Sequence, residues 1–306
     1  MKIHFLNTIW SDAIIIENNK HFCFCDCGSK FYYPMIDEYL KKQNSPKIDF
    51  ILLTHFHSDH YGCIVNIIND YDVDKLYMKE YHPIEGSTSG GDESMEEYLV
   101  NQEKCYKEII DVCKDRNVEI VFLDKLGVKN FEIPFTDASL QCFDVHNRLF
   151  ETYNDQSHEF YQTKRFNENF NSIGVFLEYN SKHIFLGADV TNSNTNIVNF
   201  SHNSLDMVKK YYEEKNIDRI DIYKSCHHGC GSNDIELMKL INPKYVIITN
   251  TDRWLDKYET IPNLICVNKG VKIFKTDYHQ YVFTIGKRIT IKQIDNVSPF
   301  IILKKD

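Results

Sequence analysis

The sequence predicts an α+β protein in which two mixed β-sheets pack face to face and helices cover their outer faces, a four-layer αββα sandwich. Two blocks of the chain each run through several strands, a helix and a further strand, which suits two sheets with helices outside. The turns between the first strands are too short for crossover helices, so a parallel doubly wound sheet is the less favoured alternative.

The elements of the first block are short apolar or alternating runs bounded by Asn, Ser or Gly. They predict strands at residues 2–6, 13–17 and 21–25, a short helix at 34–42 and a buried strand at 50–53. Apolar residues then recur at helical spacing, which predicts a long amphipathic helix at 92–116.

Strands and helices alternate in the second block. Apolar runs predict strands at residues 120–123, 140–145, 172–178, 183–186, 219–226, 245–249, 271–275 and 281–285. Helical spacing predicts helices at 205–215 and 234–241.

Length allows one large domain or two ordinary ones, and we expect one domain over residues 1–306. Hydrophobic residues make up 42% of the chain and charged residues 26%, the balance of a globular protein that buries a full core. No repeat or Pro/Gly linker divides the sequence. No apolar run approaches the roughly 18 residues that span a bilayer, and the N-terminal segment lacks a signal-peptide pattern. We therefore expect a cytoplasmic protein without a membrane contact.

Net charge and cysteine usage exclude two further classes. The net charge of −9 argues against non-specific nucleic-acid binding over the whole surface. The ten cysteines are expected to be reduced thiols, because the chain is long and has no export signal. Cys23, Cys25 and Cys27 alternate with Phe22 and Phe24, which fits a buried strand better than a thiolate metal site.

The strongest chemical signal directly follows the buried strand at 50–53. Residues 54–60 read Thr-His-Phe-His-Ser-Asp-His and place His55, His57, Asp59 and His60 on one loop. Neutral imidazole and carboxylate are ligands that zinc, iron and manganese prefer. His55 and His57 leave the strand on the same side and can hold one ion. The turn that follows can present Asp59 and His60 to a second ion.

With this motif the chain resembles the metallo-β-lactamase fold superfamily. The signature of that superfamily is His-x-His-x-Asp-His after a buried strand, and its members mostly hydrolyse esters, amides or phosphodiesters at one or two metals. Further segments resemble the ComEC-type competence-protein subgroup: residues 3–7, 11–17, 26–28, 171–175, 185–189 and 223–229. The resemblance covers about nine tenths of the chain. The membrane channel that accompanies this domain in ComEC proteins is absent here.

The resemblance implies a binuclear metal centre. Asp189 would bridge both ions, because one carboxylate can offer an oxygen to each. His146 would be the third histidine of the first site, and Asp26 would brace the His-rich loop by hydrogen bonds. One of His227 and His228 would complete the second site. The strand pattern does not decide between them, and we take His227 as the ligand and His228 as the catalytic partner.

The predicted activity is metal-dependent hydrolysis. Two divalent ions are expected, zinc first, with manganese or iron compatible with the same ligands. A metal-activated hydroxide would be the nucleophile. Asp59 would orient it and accept its proton, and His228 would protonate the leaving group or stabilise the oxyanion.

The expected substrate is a phosphodiester, in a small molecule or a short nucleic acid, because of the ComEC-type resemblance and the acidic net charge. No protein partner is inferred. Residues 85–116 combine a Gly- and Ser-rich loop at 85–94 with the predicted helix. They are expected to form a loop-helix insertion that walls the specificity pocket.

Three alternatives stay open. Hydrolysis of a lactone, a β-lactam or another ester would use the same metal centre. An iron-dependent sulfur dioxygenase has the same fold, although diiron versions carry a glutamate where His57 stands. A catalytically inactive binding module on this fold is the third.

Overall fold

In the computed structural model the chain forms two β-sheets with helices on their outer faces. The structure describes residues 1–82, 95–147, 168–191, 204–277 and 279–295. The strands, in chain order, are β1 (Lys2–Phe5), β2 (Ala13–Asn18), β3 (His21–Cys27), β4 (Ile48–Leu52), β5 (Val73–Met78), β6 (Glu119–Phe122), β7 (Asn130–Phe135), β8 (Ala138–Phe143), β9 (Gly174–Tyr179), β10 (Lys182–Leu186), β11 (Ile222–Lys224), β12 (Tyr245–Ile248), β13 (Lys272–Lys275), β14 (His279–Ile285) and β15 (Ile289–Asp295). The α-helices of the described residues are α1 (Tyr33–Lys42), α2 (Ser58–Tyr61), α3 (Ile64–Asp70), α4 (Met95–Asp115), α5 (Ser204–Lys215), α6 (Ile235–Ile241), α7 (Asp252–Leu255) and α8 (Thr260–Val267).

The two sheets have eight and seven strands. The order of the first sheet is β15-β14-β1-β2-β3-β4-β5-β6, and that of the second is β13-β12-β11-β10-β9-β8-β7. Each sheet is mixed: β3 to β6 run parallel in the first, and β10 to β13 run parallel in the second, while the remaining neighbours are antiparallel. The doubly wound alternative is thereby excluded.

Three apolar layers hold the sheets and helices together. The middle layer lies between the sheets and includes Leu52 and Leu186. One outer layer joins the first sheet to α1, α3 and α4, with Ile64 as a buried member. The other joins the second sheet to α5, α6 and α8, with Tyr211 and Leu237 as buried members. The predicted four-layer αββα sandwich is confirmed.

Side-chain alternation in β2 and β3 gives each sheet its two faces. Ile14 and Ile16 belong to the layer between the sheets, whereas Ile15 belongs to the helix-facing layer, as the two-residue period of a strand requires. Cys23 and Cys25 likewise lie between the sheets. The three neighbouring cysteines are therefore core residues, and all ten cysteines, each within the described residues, are free thiols.

Several elements differ from the sequence-based expectation. The long helix expected at 92–116 corresponds to α4, and the loop expected at 85–94 lies outside the described residues. The strand expected at 219–226 is shorter, because a 3-10 turn over Cys226–Gly229 follows β11. None of the described helices combines the length and apolar character needed to cross a bilayer.

Candidate metal centre

The predicted site residues come from loops at one edge of the two sheets. The His-rich loop follows β4, and Asp189 follows β10. His227 and His228 lie in the turn after β11, which runs parallel to β10. Because the carboxyl ends of parallel strands meet at the same edge of a sheet, these loops approach one another where the two sheets face each other.

Asp59, His60, Asp189 and His228 form one compact cluster. Oδ1 of Asp189 lies 3.3 Å from Nε2 of His60 and 3.4 Å from Nε2 of His228. Nε2 of His228 is also 3.2 Å from Oδ2 of Asp59. Two imidazoles and two carboxylates thus present one atom each to the same small volume.

His55, His57 and Asp189 form a second cluster that shares the aspartate with the first. Nε2 of His55 is 3.0 Å from Nδ1 of His57 and 3.8 Å from Oδ2 of Asp189. Asp189 therefore directs its two carboxylate oxygens to different groups of histidines.

The geometry of both clusters fits divalent metal ions. Bonds of about 2.0–2.2 Å from a tetrahedral zinc ion to nitrogen and oxygen would place neighbouring ligand atoms about 3.3–3.6 Å apart, close to the distances found here. Nε2 of His60, Nε2 of His228 and Oδ1 of Asp189 are buried and form no hydrogen bond with any described residue. Buried polar atoms that converge in this way need a partner, and a cation would supply it.

A β-bulge aims the carboxylate that orients His60. In the pairing of β3 with β2, Cys25 and Cys27 oppose consecutive residues, so Asp26 is an extra residue, with a φ of 61°. Oδ2 of Asp26 accepts a hydrogen bond from Nδ1 of His60 at 2.8 Å. Its two oxygens also accept the N–H and the hydroxyl of Thr54, both at 2.8 Å. The Nδ1 proton of His60 is thereby fixed, which leaves Nε2 available to a metal.

The surroundings of His55 and His57 favour the neutral form of both imidazoles. Burial lowers the pKa of His55 well below its usual value, and the neighbouring His60 and His57 lower it further. Burial also lowers the pKa of His57. Both rings are therefore neutral at physiological pH, the form that can coordinate a metal.

The other cluster carries positive charge on its histidines without a metal. Burial would lower the pKa of His60, but Asp189 and Asp26 outweigh this and raise it well above its usual value. Burial is likewise outweighed at His228, where Asp189 and Asp12 raise the pKa to about 9. These protons offset the carboxylate charges, so metal binding at this cluster would release protons.

His228, rather than His227, belongs to the ligand cluster. The side chain of His228 is 1% exposed and that of His227 is 33% exposed. Both residues have left-handed backbone conformations, with φ of 46° for His227 and 51° for His228, so their side chains diverge. Nε2 of His227 lies 3.8 Å from Oδ2 of Asp189 and accepts a hydrogen bond from Nδ2 of Asn169 at 3.2 Å. His228 thus lies among the candidate ligands and His227 beside them; which of the two binds a metal stays a prediction.

His146 is a partly buried residue that follows β8. The metal-type clusters identified within the described ranges do not include it, and residues 148–167, which follow it closely, lie outside those ranges. Its role as a ligand stays a prediction.

Helix α4 packs beside the His-rich loop, through aromatic contacts to Phe56. The Phe56 ring stacks on Tyr61 at a centroid distance of 4.2 Å and on Tyr81 at 4.5 Å, and meets Tyr106 of α4 edge to face at 5.6 Å. The Tyr61 hydroxyl also donates a hydrogen bond to Gln102 of α4. This part of the expected 85–116 insertion therefore contacts the loop that carries the histidines.

Two residues of the site, Asn169 and Asp12, were not identified as site residues from the sequence. Asn169 gave no motif, and its approach to His227 depends on a 3-10 turn over Glu168–Asn171. Asp12 lies 216 positions before His228 in the sequence, yet its Oδ1 is 3.2 Å from Nδ1 of that histidine. Only the packing of the two sheets brings this pair together.

The αββα sandwich with a His/Asp cluster at the carboxyl ends of its parallel strands defines a protein of the metallo-β-lactamase fold. Residues 13–142 match the family model described as the metallo-beta-lactamase superfamily. The matched residues include His55, His57, Asp59 and His60.

Two solved structures support the fold, and a third is reported for comparison. A variant of CmlA beta-hydroxylase aligns with a TM-score of 0.50 and 11% identity, over 93% of this chain and 54% of that one. The metallo-beta-lactamase fold protein YhfI from Bacillus subtilis aligns with a TM-score of 0.50 and 8% identity, over 95% and 99% of the two chains. The metallo hydrolase Igni18 from Ignicoccus hospitalis gives 0.45 and 13%, over 94% and 100%.

These likenesses concern the fold alone, because the identities are low. The chain spans about half the length of the CmlA beta-hydroxylase chain. No curated protein matches the sequence.

Proposed function

We propose that this protein is a metal-dependent hydrolase that holds two divalent ions, zinc first, and cleaves phosphodiesters. The observation that carries the proposal is the position of Asp189 between two groups of histidines. Its Oδ1 faces His60 and His228 at 3.3 and 3.4 Å, and its Oδ2 faces His55 at 3.8 Å. A carboxylate shared in this way suits a bridging ligand between two cations.

The proposed ligands divide into two sets that share Asp189. His55 and His57 would hold the first ion, with His146 as the third histidine. Asp59, His60 and His228 would hold the second. His228 replaces His227 in this set because its Nε2 lies inside the cluster.

Two divalent ions at these positions would supply an activated water and would polarise the scissile bond. Asp59 has the most exposed side chain of its cluster, at 25%, and would accept a proton from the attacking water. His227 is partly exposed and would face the leaving group, where it would stabilise developing charge or move a proton. Asn169 would hold the ring of His227 in place.

The phosphodiester assignment is supported by the ComEC-type resemblance of three segments that meet in the structure. Residues 11–17, 185–189 and 223–229 carry this resemblance. They contribute Asp12, Asp189 and His228, and the two aspartates lie 3.2 and 3.4 Å from opposite nitrogens of the His228 ring. The segments therefore act on one site, as a shared chemistry would require.

The wider setting of the proposal rests on the sequence. Residues 1–306 would form one domain, in which residues 85–116 wall the substrate pocket. The substrate would be a small molecule or a short nucleic acid, and the protein would act in the cytoplasm without a protein or membrane partner.

The test measures the rate at which protein reconstituted with zinc or manganese hydrolyses four substrates. These are bis(p-nitrophenyl) phosphate, a p-nitrophenyl carboxylic ester, a lactone and a β-lactam. The proposal expects the diester to be preferred and its hydrolysis to disappear after chelation and in Asp189→Ala. Preference for another substrate would overturn the phosphodiester assignment but keep the hydrolase. If the protein instead oxidises a persulfide in an iron-dependent reaction, the hydrolase proposal is wrong and the protein is a dioxygenase. If the folded protein binds no metal and is inactive, it is a binding module.

A further inference from the structure

We infer that Asp12, together with Thr249 and Lys224, is the positioning group of His228: it fixes the tautomer and direction of this imidazole and thereby sets the affinity of the second metal site. The inference rests on the proposed metal centre and adds three residues that are not themselves proposed as ligands.

The hydrogen bonds around Nδ1 of His228 determine which nitrogen carries the proton. The Thr249 hydroxyl donates to Oδ1 of Asp12 at 2.7 Å, and Nδ1 of His228 lies 2.9 Å from the same hydroxyl oxygen. A hydroxyl has a single proton to donate. Since this proton goes to the carboxylate, the Thr249 oxygen can only accept from Nδ1–H. A neutral His228 therefore keeps its lone pair at Nε2, which faces Asp59 and Asp189.

Lys224 keeps Asp12 charged in a site without solvent. Both side chains are 0% exposed, and the Lys224 ammonium forms an ion pair with Oδ2 of Asp12. Nζ of Lys224 also donates to the carbonyl of Ala188, at 3.3 Å. An unpaired buried carboxylate would be costly, so Lys224 allows Asp12 to act as a strong acceptor.

Residues 11 and 12 contact two proposed metal ligands, one that follows a strand of the first sheet and one that follows a strand of the second. Asp12 precedes β2 of the first sheet, whereas His228 follows β11 of the second. The N–H of Asp12 donates to the carbonyl of Asp59 at 3.2 Å, and the Ser11 hydroxyl donates to that carbonyl at 2.7 Å. Residues 11 and 12 therefore hold Asp59 and His228, two proposed ligands of one ion, in a fixed relationship.

The test measures the affinities of the first and second zinc equivalents by competition with a chromophoric chelator. In the double variant Asp12→Leu with Lys224→Met, the buried pair becomes neutral and the Thr249 proton is free to turn toward Nδ1. Loss of hydrogen-bond partners of metal ligands typically weakens binding roughly 10- to 100-fold. We expect a loss of that size for the second equivalent and little change for the first.

Thr249 offers a matched pair of variants that leave the ion pair intact. Thr249→Val removes the hydroxyl and should weaken the second equivalent by about tenfold, whereas Thr249→Ser keeps it and should bind like the wild type. If the double variant does not fold, the two Thr249 variants alone test whether the groups around Nδ1 of His228 set the affinity of the second metal site. Asp221→Asn is the control, because this buried carboxylate accepts the N–H of His183 at the opposite end of β11.

The two proposals fail in different ways. If the wild type binds two zinc ions and both Thr249 variants bind them as tightly, the positioning role is wrong and the metal centre stands. If the wild type binds no zinc, both are wrong. Equal weakening in Thr249→Val and Thr249→Ser would show a structural role and would also overturn the inference.

Discussion

Oδ1 of Asp189 lies 3.3 Å from Nε2 of His60, although Asp189 follows a strand of the second sheet and His60 lies on α2, which follows a strand of the first. The proposed metal centre therefore exists only when the two sheets are packed together. An ion bound there would link the packing of the sheets to metal occupancy, because the unfolded chain cannot offer the same set of ligands.

Removal of metal should accordingly destabilise the protein. At free zinc concentrations of about 100 times the dissociation constant, each site contributes about 2.7 kcal/mol to the free energy of unfolding. Thermal unfolding with zinc and with a chelator should differ clearly in the wild type and about half as much in His228→Ala, which keeps the site of His55 and His57. Identical melting temperatures for the wild type with and without chelator would contradict the linkage.

Gly62 separates α2 from α3 and should not tolerate a side chain. A Cβ atom at this position would lie 2.4 Å from the backbone nitrogen of Lys30 and 2.5 Å from the carbonyl oxygen of Ser58. Because backbone atoms cannot yield as a flexible side chain does, Gly62→Ala should lower the free energy of unfolding by about 1–3 kcal/mol or more.

The matched control is Gly231→Ala, where a Cβ atom meets nothing within 4 Å. Chemical denaturation of both variants measures the difference. Since α2 carries Asp59 and His60, Gly62→Ala should also weaken zinc binding. Equal stability of the two variants would show that the backbone around Gly62 leaves room for a side chain, contrary to the structure.

Glu168 should make stability depend on pH between about 4.5 and 7. Burial raises the pKa of Glu168 from its ordinary value of 4.5 to about 7, although Asn171 donates to its carboxylate. Below pH 4.5 the group is protonated in the folded and unfolded chains. As the pH rises toward 7, the unfolded chain ionises first, so the folded state loses stability.

Glu168→Gln removes this loss because glutamine stays neutral. The variant should be more stable than the wild type at pH 8, by at most about 3 kcal/mol, and similar to it at pH 4.5. Urea denaturation of the metal-free proteins at both pH values measures this. The exposed Glu132 supplies the control Glu132→Gln, for which no such pH-dependent gain is expected; a gain in both variants would refute a specific role of burial.

His227 should influence catalysis rather than metal content. Its side chain is 33% exposed and lies beside the cluster that contains His228 without being a member of it, with Nε2 3.8 Å from Oδ2 of Asp189. His227→Asn should therefore keep the metal content of the wild type and lower kcat for a diester by roughly 10²- to 10⁴-fold. Elemental analysis together with steady-state kinetics distinguishes the roles, and a loss of metal in His227→Asn would restore His227 as a ligand.

The sequence was sufficient for the layers of the fold but not for every element. Alternating or continuous apolar runs located β2, β3 and β4, because a buried strand in a sandwich must carry such a pattern. Helix α2 was not predicted, since its four residues, Ser58–Tyr61, show no helical periodicity. Strand β15 was also missed, and its pairing with β14 is a long antiparallel hairpin at the edge of the first sheet.

Within the candidate site, the sequence identified the His/Asp loop but not the residues that contact and orient its side chains. His55, His57, Asp59 and His60 are adjacent in sequence, so their spacing alone suggested a metal. The choice between His227 and His228 could not be made, because two successive left-handed residues break the alternation on which a strand argument depends. The supports of His228 come from distant segments, and only the packed sheets reveal them.

The most direct test of the proposed binuclear centre is the metal content of the purified protein, measured by elemental analysis without added metal or chelator and compared with Asp189→Ala. A binuclear centre predicts about two zinc or manganese ions per chain in the wild type and a sharp decrease in the variant, which loses the shared carboxylate. Folded wild-type protein with no metal, or a variant that keeps both ions, would contradict it.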